Sequence, residues 1–476
     1  MKRGFKAVKL GYVPISKFVF SAEDARHYKA LVQDKLDEWG IHYTNIDGVT
    51  DDGMLYKHED LPKVIEHLKA KGVDALFCPH CNFGTEDIAA LLGREMGLPY
   101  LLWGPRDELP LPDGSRLRDT QCGLFATSHV LRRLQVPFTY ILNSRVHDPV
   151  FERGVKNFIR VASVVKAFRS LRIGQIGQRV DFFWSTIINE AELLEKFGIE
   201  VWQIYISELV AEIRRRLEAR DDELLTTTEE VKSQVGFKSL GEQQIRAIVA
   251  LSLTMREMAE RDKLSAIALQ CFPVLQQEFG IYPCLANSLL GIEGLPVICE
   301  TDIHGAITAC LLQAANLYQD SVFFADMTIR HPENDQAELL WHCGSFPLDL
   351  ADRGIEPFAG EHFIMPGEEA GVGHWRIKGG DVTIARFEQA GGEYHLALGQ
   401  GRGTTGPHTV GAYLWFEVED WTRWERKFIY GPYIHHVAGM HGQAAPILYE
   451  ACKYIGVNPD PIEPAEQVLE DFWWKP

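Results

Sequence analysis

The feature that most constrains this chain is a regular alternation of short apolar runs with amphipathic segments through the first 165 or so residues. Ala7-Val8-Lys9-Leu10-Gly11-Tyr12-Val13 precedes an amphipathic stretch over 22–39, and an apolar run follows over 41–46. The spacing predicts helices over 61–70 and 86–96, an apolar strand over 73–77, and another at Tyr100-Leu101-Leu102-Trp103. Strands and helices in strict turn are the pattern of a parallel sheet covered on both faces.

After a helical stretch over 148–170 the series restarts at Leu171-Arg172-Ile173-Gly174-Gln175-Ile176-Gly177. It continues through a helix over 183–197, a strand over 200–206, a long polar helical region over 208–225, a helix over 240–261 and an apolar run over 264–269. Beyond about residue 320 the texture changes to short alternating runs over 321–325, 361–365, 375–378, 381–387, 394–398 and 409–417, set apart by Gly and Pro, with one helix over 444–455. That spacing argues an antiparallel sheet or barrel. The fold class expected is α/β: two doubly wound, Rossmann-like parallel-sheet domains, 1–168 and 169–317, followed by a mainly antiparallel, barrel-like domain over 318–476. Gly401-Arg402-Gly403-Thr404-Thr405-Gly406 matches the dinucleotide fingerprint, but a β-rich run follows it where that fingerprint needs a helix, so it reads as a turn.

With 476 residues there is ample material for several cores, and hydrophobic and charged fractions of 46% and 24% are those of globular proteins. A formal charge of −18 repels a phosphate backbone, and no stretch concentrates Lys and Arg, so nucleic acid is excluded as the expected partner. The basic opening interleaves Gly and Pro and is not followed by an apolar run of secretory length, and nothing approaches about 18 uninterrupted apolar residues. No membrane partner is expected, and the chain is placed in the cytoplasm. Its nine cysteines, an odd number in apolar contexts, suit reduced buried thiols better than a disulfide framework. Cys78-Pro79-His80-Cys81 is the one CxxC and lacks the second pair that a structural zinc requires; it reads as a strand end turning into a helix.

Chemistry concentrates near residues 300, 326 and 435. Glu300 closes the apolar run Leu295-Pro296-Val297-Ile298-Cys299, and 26 residues later Val322-Phe323-Phe324-Ala325 ends in Asp326. Acids at the carboxyl ends of strands face the crevice where such sheets bind ligands. Two strands joined by one crossover helix would set both carboxylates side by side on one sheet edge, where they repel unless a cation or shared proton separates them. Asp302 either faces elsewhere or caps the following helix. His342 lies 16 residues beyond Asp326, and Tyr433-Ile434-His435-His436-Val437-Ala438-Gly439-Met440-His441 sets three histidines in seven residues of an otherwise apolar strand. Oxygen and imidazole donors without thiolate favour six-coordinate Mn²⁺, Co²⁺ or Mg²⁺, with open positions for two adjacent substrate oxygens.

These segments resemble the L-fucose isomerase and L-arabinose isomerase superfamily. Glu300-Thr301-Asp302-Ile303-His304-Gly305-Ala306-Ile307-Thr308 is similar to the family's glutamate-x-aspartate segment leading into a helix, and Phe323-Phe324-Ala325-Asp326 to its next ligand strand. The resemblance implies an aldose–ketose isomerase that works on an open-chain monosaccharide through an ene-diol. Glu300 and Asp326 would be both metal ligands and the acid/base pair. Mn²⁺ is the foremost metal it implies. It selects His435 as the third ligand, with His436 as a neighbour that contacts substrate, while His342 matches a ligand position of the arabinose branch. It further implies a homotrimer or homohexamer with sites near subunit interfaces.

Candidates for holding the rest of the sugar are Arg179, Gln270, Cys271, Trp103 and Arg106, each of which also has an ordinary structural reading. Two competing readings remain: a non-catalytic sugar-binding protein, because two α/β domains around a cleft also describe sugar receptors, and a metal-dependent hydrolase or lyase using the same ligands.

Overall fold

The computed structural model describes residues 7–219, 222–365, 367 and 369–475. Most of the basic opening, and residues 220 and 221 within the expected long polar helix, lie outside these. On either side of that gap run two helices, Ile206–Ala219 and Asp222–Gln234. The described residues form two compact units, one of 7–166 with 467–475, the other of those within 167–466.

In the first unit β1 (Leu10–Tyr12), β2 (Tyr43–Thr44), β3 (Ala75–Pro79), β4 (Tyr100–Trp103) and β5 (Thr139–Tyr140) form a parallel sheet in the order β2-β1-β3-β4-β5. β3 and β4 are buried along their whole length, as strands covered by helices on both faces must be. The Cys78-Pro79-His80-Cys81 segment runs from the end of β3 toward the Glu86–Met96 helix, as its sequence suggests.

The second unit contains two sheets. Strands β6 (Arg172–Ile176), β7 (Glu200–Ile204), β9 (Ala266–Leu269) and β10 (Val297–Ile298) make a parallel sheet ordered β10-β9-β6-β7, while β8 (Gly236–Phe237) pairs elsewhere. The other sheet is built on β11 (Phe323–Arg330), β12 (Ala337–His342), β15 (Gly380–Ala390), β16 (Glu393–Thr404), β17 (Ala412–Glu417) and β18 (His436–His441). These six pair antiparallel in the order β16-β15-β18-β11-β12-β17, and β17 pairs back onto β16, closing a barrel. β13 (Phe358–Glu361), β14 (Ala370–Arg376) and β19 (Asn458–Glu463) extend it at its margins, with β8 beside β13. The expected class, two parallel α/β sheets followed by an antiparallel barrel, is the one observed.

Two local expectations are corrected. The Gly401–Gly406 segment is not a turn as far as Thr404: Gly401 and Gly403 lie within β16, between β15 and β17. A Cβ on Gly401 would sit 2.4 Å from the Glu417 carbonyl oxygen, and one on Gly403 would sit 2.7 Å from Gly379 Cα. The glycines are there because the backbones crowd where the barrel closes. The strand expected over 361–365 ends at Glu361, because His362 Nδ1 accepts the N–H groups of Ile364 (3.1 Å) and Met365 (3.3 Å) and curls the chain into a bend.

The helix Ile303–Ala315 joins the two sheets of this unit. All its residues are buried, which fits its near-continuous apolar sequence. It packs against β6, β9 and β10 on one side and against β15 and β18 on the other. Glu300 and Asp326 therefore do not share a sheet edge. Glu300 follows β10 of the parallel sheet, whereas Asp326 is the fourth residue of barrel strand β11.

Candidate active site

The turn after β10 aims Glu300. Both Glu300 (φ 61°) and Thr301 (φ 51°) adopt the left-handed conformation, which is uncommon for side chains other than Gly, Asn and Asp. This reverses the chain within two residues, so that Asp302 becomes the N-cap of the Ile303–Ala315 helix and accepts the Gly305 N–H at 2.9 Å. On the adjacent strand, Asp326 of β11 stands directly opposite His436 of β18. Directly paired residues of antiparallel strands project from the same face.

Three side-chain atoms converge here. His436 Nε2 lies 3.2 Å from Glu300 Oε2 and 3.4 Å from Asp326 Oδ1. All three atoms are buried, yet none has a hydrogen-bond partner of good geometry. Orphaned buried polar atoms are rare, and a group of them pointing at one place is a candidate ligand-binding position. On its other side the His436 ring is fixed by Asp302, whose Oδ2 is 2.9 Å from Nδ1. A carboxylate on Nδ1 sets the tautomer and directs Nε2 outward, the usual support for an imidazole that binds a metal.

Behind Asp302 lies a buried ionic network. Arg386 pairs with both oxygens of Asp302 and donates to Glu388 Oε2 (2.7 Å), and Glu388 Oε1 meets His304 Nδ1 at 2.7 Å. Arg386 and Asp302 are 1% exposed or less, so their charges survive only because each is paired. Burial alone would raise the Asp302 carboxyl, but Arg386 and His436 override it and hold the group well below the usual carboxylate range. Burial likewise works against Glu300, and His436 reverses it to a net lowering. For His436, burial disfavours the charged ring, while Asp302, bonded to its Nδ1, and the adjacent carboxylates of Glu300 and Asp326 raise it to about 10. Without a metal, the site thus holds a proton on an imidazole ringed by three carboxylates.

His435 packs against His436 with ring centroids 4.3 Å apart. It is half exposed, and its Nε2 is 3.9 Å from Asp326 Oδ1. His342, the last residue of β12, is buried, and the Phe324 ring packs 5.4 Å from its ring and 5.0 Å from that of His436. His342 Nδ1 accepts the N–H of Cys343 at 2.9 Å, which leaves its hydrogen on Nε2, a buried atom without a partner.

The remaining candidates have other partners. Arg179 donates to the carbonyls of Val180 (2.8 Å) and Phe183 (3.0 Å). Gln270 Oε1 accepts the Gln178 N–H at 3.0 Å, which ties together the turns after β6 and β9. Cys271 is buried against Cys299 and next to Glu300. Trp103 and Arg106 belong to the other unit. Trp103 is fully buried, stacks on Phe151 at 4.1 Å and donates to Ser144 Oγ; Arg106 is exposed. Sequence reading missed Asp302, Arg386 and Glu388 as supports of the site. A signal existed: Arg386 and Glu388, two apart on a strand, put opposite charges on one face of an apolar run.

A family model described as "Fucose/sulfoquinovose isomerase, N-terminal domain" matches residues 11–169, and one described as "L-fucose isomerase, C-terminal domain" matches residues 340–462. The chain belongs to the fucose isomerase-like family. It is 24% identical over 392 residues to the sulfoquinovose isomerase of Priestia megaterium (strain ATCC 12872 / QMB1551), covering 82% of this chain and 84% of that one. The sulfoquinovose isomerase of Alkalicoccus urumqiensis is 24% identical over 391 residues, with the same coverage. A solved galactofuranose binding protein aligns with 57% of this chain and 78% of its own at 11% identity, but a TM-score of 0.16 is too low to bear on the fold. The fucose isomerase-like chain is an aldose–ketose sugar isomerase, and its substrate is a sugar.

Proposed function

We propose that this isomerase is metal-dependent, with Glu300, Asp326 and His436 as its ligands. The observation that carries the reading is the convergence of three buried, unpartnered atoms, Glu300 Oε2, Asp326 Oδ1 and His436 Nε2, on one point. The roles that the sequence suggested for the two adjacent histidines are exchanged. His436 is buried and held by Asp302, as a ligand must be, while half-exposed His435 stands at the rim, where it meets substrate. Two carboxylates and one imidazole suit a hard ion with open positions, Mn²⁺ first and Co²⁺ or Mg²⁺ next. Held by Glu300, Asp326 and His436, such an ion would supply Lewis-acid polarisation of the substrate's oxygens.

The protein's own groups do the rest. One carboxylate of the Glu300/Asp326 pair takes the proton from carbon 2 of the open-chain aldose and returns it to carbon 1, by way of an ene-diol. His342, whose Nε2–H is fixed by the Cys343 amide, is oriented to donate to a sugar oxygen and not to serve as a fourth ligand. Phe324 covers one side of the centre, excluding water from the proton path. Sulfoquinovose is the first candidate substrate, on the strength of the relatives named for it. The reading further includes a cytoplasmic homo-oligomer, trimer or hexamer, as the family resemblance implies.

The test is to strip the protein, reload it with Mn²⁺ and follow ketose formation from sulfoquinovose, L-fucose and L-arabinose. Glu300→Gln should lower kcat by about 10²–10⁴-fold. No ketose from any sugar, or undiminished turnover by the variant, refutes the mechanism.

A further inference from the structure

Four of the chain's nine cysteines come together from four separate segments beside the site. Cys271 follows β9, Cys284 begins the Cys284–Glu293 helix, Cys299 follows β10 and Cys343 follows β12. The Cys284 and Cys343 sulfurs are 3.4 Å apart, Cys299 lies in hydrogen-bonding contact with both Cys343 and Cys271, and all are reduced. Cys299, Cys343 and His342 each offer a donor atom, and these lie within 4.8 Å of one another. His342 Nδ1, the unprotonated nitrogen whose electron pair accepts the Cys343 N–H, is 3.2 Å from Cys343 Sγ.

We propose that Cys284, Cys299, Cys343 and His342 Nδ1 form a second cation site, for a thiophilic d¹⁰ ion such as Zn²⁺ or Cd²⁺. It is separate from the oxygen-lined centre of Glu300, Asp326 and His436. Three sulfurs and one imidazole are a complete tetrahedral set for such an ion. Zn–S bonds of about 2.3 Å at tetrahedral angles give sulfur–sulfur edges of about 3.8 Å, so the Cys284–Cys343 pair opens by a few tenths of an ångström, while Cys284, outside the group of donors within 4.8 Å, swings toward Cys299 and His342 to complete the set. On binding, each of the three thiols releases its proton to solvent as its sulfur–metal bond forms, and His342 Nδ1 exchanges the Cys343 N–H for the ion without losing a proton. No oxidant or reductant takes part. Cys343 is only partly buried and gives the ion a way in.

The two centres share His342. Nδ1 faces the thiols, while Nε2–H is the group free for the isomerase site, so an ion on the first nitrogen makes the second a stronger donor. Cys299 is also covalently next to Glu300. Filling the thiol site therefore acts on the hard-metal centre without competing for its ligands.

The experiment uses the full-length, Mn²⁺-loaded protein titrated with Cd²⁺ under reducing conditions. The expected result is a sulfur-to-cadmium charge-transfer band in the ultraviolet that saturates at one ion per chain. X-ray absorption at the cadmium edge should show a shell of about three sulfurs. Cys284→Ser should lose most of the band, while Glu300→Gln and the exposed-thiol control Cys122→Ser should retain it. The wild-type absorption spectrum stands even if a variant misfolds. Oxygen and nitrogen scatterers alone, or a band that disappears in Cys122→Ser, overturn the proposal. Because the band does not depend on turnover, its absence is distinguishable from a failure of the isomerase reading.

Discussion

Asp302→Asn probes how the protein holds His436, the imidazole proposed as a metal ligand. Asp302 is fully buried and serves three partners at once: the Gly305 amide, the Arg386 guanidinium and the Nδ1 of His436. Asparagine keeps one carbonyl oxygen, enough for the helix cap, but loses the charge, and its NH₂ group faces donors. Arg386 is left with Glu388 as its remaining charged partner, and breaking one side of a buried pair costs about 3–5 kcal/mol, a melting-point drop of about 5–8 °C in a cooperative unit of this size. For the metal, loss of a carboxylate behind a ligating imidazole weakens binding by about 10–100-fold, or roughly 1.4–2.8 kcal/mol. Calorimetric titration of the stripped protein with Mn²⁺, run beside thermal melts, separates the two effects. With saturating Mn²⁺ most of the turnover should return, because Asp302 touches no substrate in this scheme. A folded variant that binds Mn²⁺ as tightly as the wild type would refute the role given to Asp302.

The other expectations concern the same centre and one distant carboxyl. His436→Gln should abolish stoichiometric Mn²⁺ binding, whereas His435→Gln should leave binding intact and raise KM; metal analysis of both variants decides between them. Since the His436 proton, held up to about pH 10, must leave when the metal binds, Mn²⁺ affinity should rise by about tenfold per pH unit across pH 6–9. Titrations in two buffers of different ionisation heat should report one proton released, and no release would contradict that assignment. Burial raises the Glu338 carboxyl to about 7. A carboxyl raised in the fold stabilises it fully below the unfolded value near 4.5 and loses that contribution as pH climbs through 7. Glu338→Gln should therefore stabilise the protein at pH 8, by at most about 3 kcal/mol, and the gain should vanish near pH 4, as melts at the two pH values will show.

The parallel sheets were legible because strands covered on both faces must be apolar along their whole length, so runs such as Leu76-Phe77-Cys78 stand out between amphipathic helices. The barrel was legible as a class from its short alternating strands. Its closure was not: the pairing of β16 with β17 is a long-range contact, and Gly401 and Gly403, the residues that permit it, look locally like turn residues. In the site, Glu300 and Asp326 could be picked out because acids end apolar runs. The choice between His435 and His436 depends on which one faces Asp326 across β11 and β18, and cross-strand register leaves no local trace in a His-His pair. The supports Asp302, Arg386 and Glu388 escaped notice for the opposite reason, since each has an ordinary local reading as a cap or a surface charge.

The left-handed pair Glu300–Thr301 bears on how this enzyme would respond to selection. Each such residue costs about 1–2 kcal/mol in a chain of L-amino acids, and a β-branched threonine is among the least suited to it. Glycine at 301 would relieve that cost and also slacken the turn that aims Glu300. A library screened only for heat tolerance should therefore accumulate Thr301→Gly, and one screened for turnover should discard it, so this position would tell an engineer which of the two properties a selection has actually rewarded.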